Sequence, residues 1–111
     1  MIKKAFLLIV SFTFIWSLSL HAASYKGQRV FSKHCVKCHG RQEFIESKTQ
    51  REWKKLMRNK GKKLVEIHLK SKKAKKSWKY FKSKRFQKKA KHLRDFLVEY
   101  AKDSGRVPAC N

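Results

Sequence analysis

The sequence predicts an all-α fold. Apolar residues recur at helical spacing in at least three segments, and no segment alternates in the way a half-buried strand would. The chain has one proline and four glycines, so long loops are few. No internal repeat is evident.

The elements follow in order. Residues 1–23 read as a signal peptide rather than as part of the fold. Lys3 and Lys4 form a charged start, Ala5 to Leu20 is largely apolar, and Ala22-Ala23 supplies small residues for cleavage. An uncleaved membrane anchor is the alternative, although the apolar run is short for a full span. Residues 24–111 then form one domain. Tyr25 to His34 reads as a short helix, with Gly27 placed to admit a close neighbour. Thr49-Gln50-Arg51-Glu52 has the form of a capping box, and Trp53, Leu56 and Met57 continue it as an apolar stripe. Gly61 suits the left-handed residue that ends a helix. A helix over 62–70 carries Leu64, Val65, His68 and Leu69. The lysine-rich segment 70–92 interleaves Trp78, Tyr80, Phe81 and Phe86, either as a ragged helical face or as a fold over a bound group's edge. The spacing of Leu93, Phe96, Leu97, Tyr100 and Ala101 predicts a helix from Ala90 to Lys102, ended by Ser104-Gly105.

The charge is one-sided. Thirty Lys and Arg stand against seven Asp and Glu, a formal net charge of +23. Most of the excess lies between Lys54 and Arg94. Solubility alone does not require it; the resulting field attracts anionic partners. The seven acids are scattered, and Glu52 has a capping role. No acid–base pair or Ser-His-Asp grouping suggests an enzyme.

The run Cys35-Val36-Lys37-Cys38-His39 carries the chemistry. CxxCH is the attachment signature of c-type haem. Its two thiols would add across the two vinyl groups of the porphyrin, and His39 would ligate the iron. A dithiol redox site would want a βαβ pattern, which is missing. A zinc site would want a second ligand pair, and neither a second CxxC nor an HxxxH is present. A haem would also supply the apolar core that so short a chain lacks.

With Gly40 after the motif and Tyr25-Lys26-Gly27-Gln28-Arg29-Val30-Phe31 before it, the chain resembles the small single-haem class I c-type cytochromes of bacteria. The resemblance spans nearly all of residues 24–111. It implies a small helical domain around one covalent haem, attached outside the cytoplasm. It also implies an N-terminal helix crossing the C-terminal one, with Gly27 and Phe31 against Phe96 and Tyr100. Trp53 and Lys60-Gly61 match one branch of that family. The family normally supplies a methionine to the far side of the iron, from a proline-containing loop before the last helix. Here residues 72–80 hold neither. The distal ligand is then His68 or Met57, with His92, a desolvated lysine amine or an open site behind them. His34 is poorly placed beside Cys35. A six-coordinate iron is expected.

These readings imply a periplasmic electron carrier that is not an enzyme. Its partners would be acidic faces of redox proteins and, secondarily, an anionic membrane surface; nucleic acid is not expected. Two alternatives stand beside it. One is a haem-based small-ligand sensor, suggested by the missing methionine loop. The other is a basic binder of envelope polymers or lipid, suggested by the charge. Cys110 is left over, either in an idle tail or as the link of a disulfide dimer.

Overall fold

Every element of the fold is a helix or a turn. A computed structural model describes residues 24–108, among which there is no strand. The expected signal peptide, residues 1–23, and Cys110 lie outside these residues. Helix α1 covers residues 24–34. The single-turn helices α2 (Val36–His39) and α3 (Gln42–Ile45) follow, then α4 (Gln50–Leu56) and α5 (Arg58–Leu69). A 3₁₀ helix (Lys72–Ser77) leads into α6 (Trp78–Phe81) and the long α7 (Lys84–Glu99). No helix among the described residues is long and apolar enough to cross a membrane.

The expected crossing of the first and last helices is present. A methyl group placed on Gly27 would lie 2.0 Å from the backbone oxygen of His92 and 2.5 Å from Phe96 Cβ. Only a hydrogen fits there, because the obstacle is backbone and cannot rotate away. One turn further along, the rings of Phe31 and Phe96 meet with centroids 5.4 Å apart. Gly27→Ala is therefore expected to cost about 3 kcal/mol, the upper part of the range for overpacking. A urea unfolding free energy lowered by less than about 0.5 kcal/mol would show that the crossing relaxes freely.

The capping box forms as its sequence specifies. The Thr49 hydroxyl accepts from Glu52 N–H, and the Glu52 carboxylate accepts from Thr49 N–H. Those hydrogen bonds hold the Glu52 carboxyl below its ordinary range. The start of α4 is tied to the far end of α7: Gln50 N–H donates to Asp103 Oδ1, and the Gln50 side chain donates to Val98 O. Trp53 is fully buried, and its Nε1–H donates to Ile45 O at 2.9 Å.

The chain breaks helix at Asn59, Lys60 and Gly61, which take φ of 52°, 57° and 70°. Three consecutive left-handed residues are costly for L-amino acids, least so for Gly and Asn. The sequence marks the break at Gly61 but gives no sign that it begins at Asn59. Gly61 is buried, and a side chain there would press on Phe86 and Met57 at 3.2 and 3.3 Å. Met57 is thus core filler at this corner, 2% exposed.

The lysine-rich segment is almost wholly helical, which composition obscured. Trp78 closes the end of α5 by donating its Nε1–H to His68 O at 2.7 Å. Phe81 and Phe86 enter the core. The last helix starts at Lys84, six residues before the expected Ala90. Ser83 caps it by accepting from Phe86 N–H, and Phe86 extends the stripe of Ala90, Leu93 and Leu97 one turn back. Intervening lysines do not oppose this, being good helix formers that point outward. His92 consequently sits mid-helix rather than opening it. The helix ends at Glu99, three residues before the expected Lys102, and the turn through Ser104 follows.

Candidate functional site

The CxxCH run is one turn of helix. Cys35 O accepts from His39 N–H at 3.0 Å and more weakly from Cys38 N–H at 3.3 Å. Spacings of three and four put both thiols and the imidazole on one side of that turn. The turn is held at one end by Cys35 N–H donating to Phe31 O, inside the α1–α7 crossing. Both cysteines are free thiols. Cys35 packs against the core, and Cys38 is exposed. Burial, then the neighbouring Cys38, pushes the Cys35 thiol up to about 12. It stays protonated at neutral pH, unlike the low-pKa cysteines of dithiol redox sites.

His39 stacks on Phe44, with centroids 4.3 Å apart and planes 19° from parallel. Across from it stands His68, with ring centroids 5.9 Å apart and planes nearly perpendicular at 85°. His68 is half-buried, packs on Phe81 with centroids 4.3 Å apart, and has Nδ1 2.7 Å from Leu64 O. A carbonyl only accepts, so Nδ1 carries the proton, and in the neutral imidazole Nε2 then keeps the lone pair. That is how a metal-binding imidazole is normally oriented. Partial burial, then His68, lowers the pKa of His39 and favours its neutral, ligating form.

The structure therefore brings Cys35, Cys38, His39 and His68 to one face. The other candidates lie elsewhere. Met57 is in the core at Gly61 and Phe86. His34 stacks on Tyr80 with centroids 3.6 Å apart. His92 lies where α7 meets Gly27. Phe44, the shelf for His39, gave no signal in the sequence, because α3 is a single turn with too few residues to show a period.

The donor set fits a haem. His39 and His68, with ring centroids 5.9 Å apart, are the two imidazoles that would hold its iron. Two unpaired thiols stand beside the pair. A bare metal ion has no comparable set: no group of three or more His, Cys, Asp and Glu side chains among the described residues is placed to hold one. No protein-family model, curated protein or solved structure matches this chain.

Proposed function

We propose that the protein is an exported electron carrier with one covalently attached c-type haem. Cys35 and Cys38 would hold the group through thioether bonds, and His39 and His68 would both ligate its iron. The observation that carries this reading is the His39–His68 pair beside two free thiols on one helical turn. When bound, the group supplies a one-electron couple at iron; the protein's residues set its ligation and surroundings.

Each residue has a stated task. The hydrogen bond to Leu64 O holds His68 with Nε2 available. Phe44 stacks on the His39 ring and Phe81 packs at a tilt on the His68 ring, which holds the two imidazoles in place. Two imidazoles close the site to small ligands, which favours electron transfer over sensing. The absence of methionine from the ligand set implies a lower potential than the methionine-ligated members of the resembled family have. The lysine field would draw in acidic faces of redox partners, with contact weakening as salt screens it.

The test is production in a host with haem-attachment machinery, followed by intact mass and absorption spectra in both redox states. The expected result is a chain heavier by one tetrapyrrole, with low-spin spectra. A polypeptide of unmodified mass overturns the reading. So does a Cys35→Ala, Cys38→Ala variant that keeps the added mass.

A further inference from the structure

A concave concentration of charge lies along α1, with His34, the residue before the CxxCH turn, in its lining. Between α1 and the first turns of α7 runs a cavity of about 670 Å³. Lys26, Arg29 and Lys33 line it from one helix, and Arg85 and Lys89 from the other, while Tyr80 forms part of the wall. No carboxylate among the described residues lines it. The first turn of α7 holds no acidic residue, so the positive end of that helix adds to the same field. The lysine-rich segment 70–92 contributes Tyr80, Arg85 and Lys89 to the groove. The other three of its five cations come from α1.

We infer that this groove binds a phosphate-bearing anion. Five cations in one concavity repel one another unless a ligand with several charges sits among them. Two of them are guanidinium groups, whose planar forks match phosphate oxygens two at a time. The volume falls in the range of sites for small molecules, and a single phosphate would fill little of it. The ligand class is thus an oligophosphate, either free or as the headgroup of a lipid. A second trace of the field is seen in the histidines beside it. After burial, Lys33 and Arg85 lower the pKa of His34, and Lys26, Lys91 and Lys89 lower that of His92. This proposal does not depend on haem attachment and stands or falls separately.

The test compares two variants with equal loss of charge. One is Lys26→Gln, Arg29→Gln, Arg85→Gln in the groove. The other is Lys72→Gln, Lys73→Gln, Lys76→Gln on the 3₁₀ helix, outside it. All six residues are exposed, so neither variant disturbs the core. Calorimetric titration with inorganic tripolyphosphate and flotation with vesicles containing phosphatidylinositol bisphosphate are run on both, at physiological salt. The groove variant is expected to bind at least about tenfold more weakly, the effect of losing one charge-assisted hydrogen bond. The 3₁₀ variant loses only its share of the screened general field, a change of about threefold or less. Groove-dependent binding of tripolyphosphate identifies a free anion as the ligand. Groove-dependent binding of vesicles alone identifies a lipid headgroup. Equal losses in the two variants, or no saturable binding in either assay, overturn the inference.

Discussion

Replacing His68 with alanine in the haem-loaded protein is expected to convert the ferric iron from low spin to high spin. Removing the ring removes the one second imidazole that faces His39 among the described residues, at a centroid distance of 5.9 Å. The other described histidines offer no ready substitute, because His34 is held in a stack with Tyr80 and His92 lies at the α1–α7 crossing. The reduced variant is then expected to bind carbon monoxide, and the reduced parent is expected not to. His68→Met should retain six ligands and raise the reduction potential, since an axial thioether favours the ferrous state. Met57→Leu, which changes only packing at Gly61 and Phe86, should leave the spectrum unchanged. A low-spin ferric spectrum that survives His68→Ala would reject His68 as the ligand. Loss of the spectrum in Met57→Leu with retained folding would assign the role to Met57.

The second large effect is structural. Trp53→Ala is expected to cost about 3–5 kcal/mol, the range for deleting a fully buried large aromatic. Trp53 is 0% exposed, donates to Ile45 O, and meets Phe44 edge-on with centroids 5.5 Å apart. Against a total stability of about 5–15 kcal/mol for a domain, such a loss leaves little or nothing. Phe44 is also the shelf on which His39 rests, so the cavity should loosen the site as well as the core. Urea unfolding gives the stability, and the His39 ring resonances report the shelf. A cost below about 1 kcal/mol would mean that the core closes over the gap. Trp53→Phe, which keeps most of the volume but not the N–H, should recover more than half of the loss.

Much of the framework was legible because its signals are local. Thr49 and Glu52 meet within one turn, so their hydrogen bonds need no distant partner. The stripe of Leu93, Phe96 and Leu97 marks a helix wherever it packs. The two ends of α7 were less so. Its start depends on Ser83 capping Phe86, in a segment whose lysines hide the period. Its final turn is cut short before Lys102, whose N–H is drawn instead to Lys48 O at 3.0 Å.

The candidate site divides in the same way. Cys35, Cys38 and His39 could be put forward together from sequence, because their spacing falls within a single turn. Choosing among His68, Met57 and His92 could not be done there, since each sits on a helix and differs only in where that helix goes. Three left-handed residues at 59–61 redirect the chain, and Trp78 fastens the end of α5 through His68 O. Together they set His68 opposite His39 and leave Met57 inside. The net charge, too, was plain in the composition, but the groove it lines exists only because α1 crosses α7 at Gly27. Short-range order is written in neighbouring residues; the meeting of side chains far apart in the chain is decided by how helices pack.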